Sequence, residues 1–252
     1  MTRAALLAGV LFVGGRLAAA GTDIEILLRD AQAAEARLDS AAAAELYLAA
    51  DRLRPNDAFI LQKIAKQYSD QVFGEKDRGR KKQLAETALA YARRSVDLAP
   101  DNAVHVLSLA ICHGHLALVG DTSDKVRYSR LIKQDAERAL QLDPNYAWAH
   151  HLLGRWHLEV ARLGMTARFL VKLIYGGLPP ASKAEGLRHL RRATELEPAE
   201  PSHWVELGHA LAANGDPAAA RTAWRKALDL PARGKHDEPA QQRARTALEA
   251  AR

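Results

Sequence analysis

The chain contains a single cysteine, Cys112, so no internal disulfide can brace it. With Ile111 and Leu116 as neighbours, that thiol reads as a small buried apolar residue. Runs of Val, Ile and Thr with a period of two are missing, which excludes an extended sheet. Aromatic residues make up only 6% of the chain, and its 16 glycines and 10 prolines mostly punctuate turns. No glycine-rich phosphate loop, nucleophile motif or acid pair stands out, so neither enzyme chemistry nor a cofactor is expected. Long apolar runs are scarce as well. The opening run, residues 4–15, has 12 residues before Arg16, short of the roughly 20 needed to span a bilayer. What the chain has in abundance is Ala and Leu, both strong helix formers.

A proline returns at the same place in a short pattern four times. Leu53-Arg54-Pro55-Asn56, Leu98-Ala99-Pro100-Asp101, Leu142-Asp143-Pro144-Asn145 and Leu196-Glu197-Pro198 each end one amphipathic helix and start another. Between these seams the residues follow the tetratricopeptide pattern of two helices per unit, A and B. The last unit fits with little slack: Trp204, Leu207, Gly208 and Leu211 in helix A, then Ala220, Trp224 and Ala227 in helix B, with Pro231 following. Small residues at Gly208, Ala220 and Ala227 let the two backbones approach. The same register gives Leu61, Ile64, Ala65 and Tyr68; Val106, Leu109, Ala110 and His113; His150, Leu153, Gly154 and His157; and Ala43, Tyr47 and Ala50 in the first helix B. The predicted fold is an all-α, right-handed solenoid of about five helix pairs, with residues 238–251 as a capping helix that shields the end of the stack.

The departures from the plain repeat carry information too. Gly208 and Ala220 lie 12 apart, but Ala65 and Thr87 are 22 apart, Ala110 and Ile132 also 22, and Gly154 and Gly186 are 32 apart. The three central hairpins are therefore lengthened. In the fourth, residues 165–175 read as an inserted helix with Thr166 as cap and Gly176 as stop. Pro179-Pro180 then forces an extended stretch, and Ser182 with Glu185 opens the next helix as a capping box. Phe169, Leu173 and Ile174 share one side of the insert, with Leu170 beside them and Arg168 and Lys172 flanking. The insert either packs back on the solenoid or forms an apolar lid or a membrane-facing helix.

The stretch His150-His151-Leu152-Leu153-Gly154-Arg155-Trp156-His157, the insert after it, Pro179-Pro180 and Gly120-Asp121-Thr122-Ser123-Asp124-Lys125 resemble the regulator of microtubule dynamics family over roughly residues 40 to 250. The resemblance implies a tetratricopeptide-like domain with lengthened hairpins. It also implies a link to microtubules, as in the animal members, and phospholipid binding, as reported for one of them.

In this repeat class the A helices line the concave face. The register assigns Phe59, Lys66, Leu107, Ile111, Trp148, His151, Arg155 and Leu158 to that groove. Apolar residues with a few cations suit a hydrophobic peptide, so the primary reading is a non-enzymatic scaffold for a protein or peptide partner. The alternative is a phospholipid or other hydrophobic ligand in a groove closed by helix 165–175. A pI near 9.5 invites a nucleic-acid reading, but basic and acidic residues alternate, as in Arg188, Arg191, Arg192, Glu195 and Glu197, which is an ordinary solvated face. One dense basic patch, Lys76, Arg78, Arg80, Lys81 and Lys82, reads as a solvated loop or as a contact for anionic head groups. His113, His115, His150, His151 and His157 are the candidates for metal chemistry, but a zinc site needs three or four converging ligands. His150 and His157 fall on packing positions and His151 points elsewhere, so no metal is expected. Arg3, the apolar run and Ala18-Ala19-Ala20 have the order of a secretory signal cut after Ala20. That reading divides the chain into a leader, 1–20, and a repeat domain, 21–252, and implies a periplasmic or secreted protein. A retained N-terminal membrane anchor is the alternative.

Overall fold

Every seam proline restricts the residue before it to extended backbone and so ends a helix. In the computed structural model, which describes residues 11–251 and their side chains from Asp23 onward, the chain restarts a helix within a few residues of each proline. The helices are α1 (Leu11–Ala36), α2 (Ser40–Leu53), α3 (Ala58–Gly74), α4 (Arg78–Leu98), α5 (Ala103–Val119), α6 (Thr122–Leu142), α7 (Ala147–Arg162), α8 (Met165–Tyr175), α9 (Lys183–Leu196), α10 (Pro201–Ala213), α11 (Pro217–Asp229) and α12 (Asp237–Ala250). Five hairpins, α1/α2, α3/α4, α5/α6, α7/α9 and α10/α11, stack into the solenoid, and α12 caps it. The described residues include no strand.

The seams share one chemistry. The N–H groups of Asn102, Tyr146 and Glu200 donate to the carbonyls of Ala99, Asp143 and Glu197 at 3.3, 3.2 and 3.2 Å, closing a tight turn around each proline. At the first seam Asn56 makes the turn instead with φ 62°, a left-handed conformation that Asn tolerates. Asp57, Asn102 and Glu200 then accept N–H bonds from the first turn of α3, α5 and α10. Asp39, Asp77, Asp121, Ser182 and Asp216 do the same at α2, α4, α6, α9 and α11. Each such cap contributes about 1 kcal/mol.

The lengthening of the hairpins goes into helix rather than loop. α3 and α5 have 17 residues and α4 and α6 have 21, against 13 each for α10 and α11. This corrects several local expectations. Of the basic patch, only Lys76 lies in the α3–α4 connection. Arg78, Arg80, Lys81 and Lys82 open α4, and the Arg78 guanidinium donates to the Val119 carbonyl at the end of α5 at 2.7 Å. The small residue that matches Ala65 is the fully buried Ala88, not the half-exposed Thr87. Gly164, not Thr166, precedes α8, and Ser182 makes only the hydroxyl half of the capping box, because Glu185 turns to Arg188 at 2.8 Å. The expected leader falls on residues whose side chains, and for 1–10 whose backbone, lie outside the described residues. No described helix is long and apolar enough to cross a membrane.

Close approach between paired helices depends on the predicted small residues. A Cβ on Gly208 would sit 2.2 Å from the Trp224 ring nitrogen, and one on Gly154 would sit 2.5 Å from Leu190 Cγ and 3.1 Å from the Gly186 carbonyl. Neither neighbour is free to move, since Trp224 and Leu190 are themselves buried. Gly208→Ala and Gly154→Ala are each expected to lower the unfolding free energy by about 1–3 kcal/mol through overpacking. Urea titration of the two variants measures it, and unchanged midpoints would mean that the helices can part without cost.

Candidate binding groove

The A helices set the inner face, and the structure divides the eight predicted groove residues into two groups. Phe59, Ile111, Lys66 and Arg155 remain open, with 43%, 39%, 46% and 43% exposure, the last two for the side chain alone. Trp148 is half-buried. Leu107, His151 and Leu158 are buried. Leu107 packs with Val106, Ala110 and Leu153, and Leu158 packs with Leu190 and Val205, so both belong to the core between hairpins.

Both assigned groove cations lie against carboxylates, Lys66 closely and Arg155 at longer range. Lys66 Nζ lies 2.8 Å from Asp70 and 3.5 Å from Glu35. Burial pulls the Lys66 ammonium down, but the two carboxylates outweigh it and hold it above its ordinary value. Glu35 also accepts from Tyr47, Lys63 and Gln67 at 2.8, 2.8 and 2.6 Å. Burial pushes its carboxyl up, yet the bonds from Lys63 and Tyr47, with Lys66 nearby, keep it below the usual carboxylate range. Arg155 faces Glu206 at 3.7 Å, and Glu206 takes a closer bond, 2.8 Å, from Arg243 of α12.

The far end of the chain comes back to meet the near end. After α11, the non-helical residues 231–236 run to the first two hairpins. The Lys235 ammonium donates to the Ser40 hydroxyl. His236 Nε2 lies 2.9 Å from Asp70 Oδ1, on the carboxylate that holds Lys66 with its other oxygen. The His236 ring also packs on Phe73 with 4.4 Å between centroids. Asp237 fixes the approach by accepting the N–H groups of Arg233 and Gly234 at 2.8 and 2.7 Å. Burial pushes the Asp70 carboxyl up, but the bond from His236 and the charge of Lys66 prevail and hold it low. None of these four partners, Ser40, Asp70, Phe73 and His236, had a sequence signal as a site. They are joined over 166 and 195 residues of chain, and no local pattern reports such a contact.

The histidines pair across helices. His150 and His157 meet His189 of α9, the first with nitrogen atoms 2.9 Å apart and the second by stacking at 5.8 Å. His151 turns the other way, to His203 of α10 at 2.9 Å, and Trp148 packs against both rings. Among the described residues, no group of three or more His, Cys, Asp or Glu converges as metal ligands would. Cys112 is buried beside Ser69 at 3.7 Å, and burial pushes its thiol up to about 12. Helix α8 rests on α6, a helix B, where Arg130 donates to the carbonyls of Tyr175 and Gly177. Arg168 also ties it to the end of α7, through the Val160 carbonyl at 3.0 Å.

A family model described as "Regulator of microtubule dynamics protein 1-3" matches residues 27–252. The Xenopus laevis "Regulator of microtubule dynamics protein 3" is 30% identical over 139 residues, 55% of this chain and 30% of its own length. The Bos taurus "Regulator of microtubule dynamics protein 1" is 28% identical over 144 residues, 56% of this chain and 45% of its own. The matched region is thus less than half the length of these relatives. Among solved structures, a thermophilic TPR protein of Thermus thermophilus superposes with a TM-score of 0.65 at 20% identity, covering 90% of this chain and 99% of that one. That likeness shows the tetratricopeptide fold.

The buried rings set a pH limit on this architecture. Burial depresses His115 and His189 from 6.5 to about 4, and it lowers His151 well below its ordinary value. Such rings are neutral when folded and bind a proton near pH 6.5 when unfolded. Stability is therefore complete above pH 6.5 and falls as the pH drops toward 4, on the order of 1.4 kcal/mol per pH unit for each ring. Urea unfolding at a series of pH values should give a plateau above pH 7 and a steep fall between 6.5 and 4.5. A flat profile in that window would contradict it.

Proposed function

The chain belongs to the regulator of microtubule dynamics family, and from that premise we propose that it is a non-enzymatic scaffold that holds a peptide segment of a protein partner in its concave groove. The observation that carries this reading is a peptide contact the chain makes with itself, next to Lys66. Lys235 and His236, in the non-helical stretch 231–236, are held by side chains from two other hairpins, through a hydroxyl, a carboxylate and an aromatic ring. A surface that grips one such segment has the chemistry to grip another. The exposed apolar residues Phe59, Val104 and Ile111 of α3 and α5 are available for apolar contact, and an apolar lining with a few placed polar groups is the usual combination.

The state of the cations favours a peptide over an anionic ligand. Lys66 and Arg155 lie against Asp70, Glu35 and Glu206, whose carboxylates are nearly buried and would each lose one of their cations if either turned to an incoming anion. The microtubule role in the relatives' names is not part of this reading.

The test uses the segment itself. A labelled peptide of residues 230–238 should bind the Lys235→Ala/His236→Ala chain, whose own segment is loosened, about tenfold more tightly than the unaltered chain, which holds that segment at high effective concentration. Adding Asp70→Ala should abolish the gain. Fluorescence anisotropy reads both, and equal binding to all three chains, or to none, would remove the basis of the proposal.

A further inference from the structure

Helix α8 is the most exposed apolar element of the described structure. None of its 11 residues is buried. Met165, Phe169 and Leu173 stand at 88%, 65% and 70% exposure along one stripe, and Leu170 and Ile174, at 48% and 63%, widen it. The helix is held from behind: Val171 and Tyr175 are its half-buried residues, Arg130 of α6 binds the carbonyls of Tyr175 and Gly177, and Arg168 donates to the Val160 carbonyl at 3.0 Å. Gly176, with φ 76°, ends it abruptly. The stripe is therefore a fixed ridge that projects from the solenoid.

Charge tells what can cover that ridge. From Val160 to Ala184 the chain has no Asp or Glu but has Arg162, Arg168, Lys172 and Lys183. Beyond the C-terminal end of α8, Arg130, Lys133 and Arg138 of α6 rim an open depression of about 480 Å³ together with Pro179. Their one acidic neighbour in that depression is Glu137. An apolar ridge with cations of one sign beside it is the pattern of a helix that lies in the head-group region of an anionic bilayer, its apolar side chains in the acyl boundary and its cations at the phosphates. A convex ridge also suits a deformable surface, whereas a folded partner must offer a matching cleft.

We propose that α8 docks this protein on an anionic lipid surface as an in-plane helix. The docking uses a different face from the groove and does not depend on what the groove binds.

The full chain should co-sediment with vesicles of phosphatidylglycerol and phosphatidylcholine in equal parts, and only weakly with phosphatidylcholine alone. Phe169→Asp/Leu173→Asp should lower partition into the mixed vesicles about tenfold or more, and Lys172→Glu severalfold. The replaced side chains are solvent-exposed, so the thermal midpoint should stay unchanged and serve as the folding control. Equal partition of the double variant and the unaltered chain overturns the proposal, and so does absence of vesicle binding. A dimer in sedimentation equilibrium that the double variant abolishes overturns it too, since the ridge would then be covered by a second copy.

Discussion

Constant seam geometry is the constraint on which the rest of this structure depends. A proline closes a short turn, an Asp, Asn or Glu cap follows within two residues where a side-chain cap is present, and the next helix starts. Because Ala99, Asp143 and Glu197 accept the same turn bond, the hairpins at these three seams are joined in the same way whatever their length. Extra residues can then go only to the end of the hairpin away from the seam. There they extend α3 to α6 by one or two turns, or form α8. The close contacts at Gly154 and Gly208 lie within hairpins and fix the separation of A and B, so seam and hairpin together determine the curvature.

That curvature brings the two ends of the stack together. Residues 235 and 236 reach Ser40 and Asp70, which ties the stretch after α11 to the first two hairpins. The electrostatics follow from the closure. Carboxylates that would be costly to bury alone each gain two or more donors: Glu35 from Tyr47, Lys63 and Gln67, Asp70 from Lys66 and His236, Glu206 chiefly from Arg243 with Arg155 nearby. Buried charge is tolerated when every lone pair is served. The same arrangement removes the free cations that the sequence places in the groove.

Much of the fold was legible because it is written in short-range patterns. Seam prolines, helix caps and the small residues of the repeat are local, and α12 falls within a residue of the predicted capping helix at its start. The direction of the histidines was legible as well, since His150, His151 and His157 follow from the helical period alone. Three kinds of feature were not. Whether an insertion becomes loop or helix depends on packing of residues such as Val72, Leu84 and Leu116 at the hairpin tips, which the seam count does not contain. Which inner-face residues stay open depends on curvature: Leu107 and Ile111 are one turn apart on α5, yet the first is buried and the second exposed. The return of His236 to Asp70 depends on the whole stack.

Net charge acquires a location in this light. The chain has 36 basic and 30 acidic residues, an excess of six. Lys66 adds little to it, since it stands against Asp70 and Glu35. Four basic residues without an acidic one fall between Val160 and Ala184, and of these only Arg162 has an ion-pair partner among the described residues, Glu159 at 3.0 Å. An uncompensated charge on a solvated surface creates a field that extends about 8–10 Å at physiological salt, so Arg168 and Lys172 act on the apolar stripe of the helix that carries them.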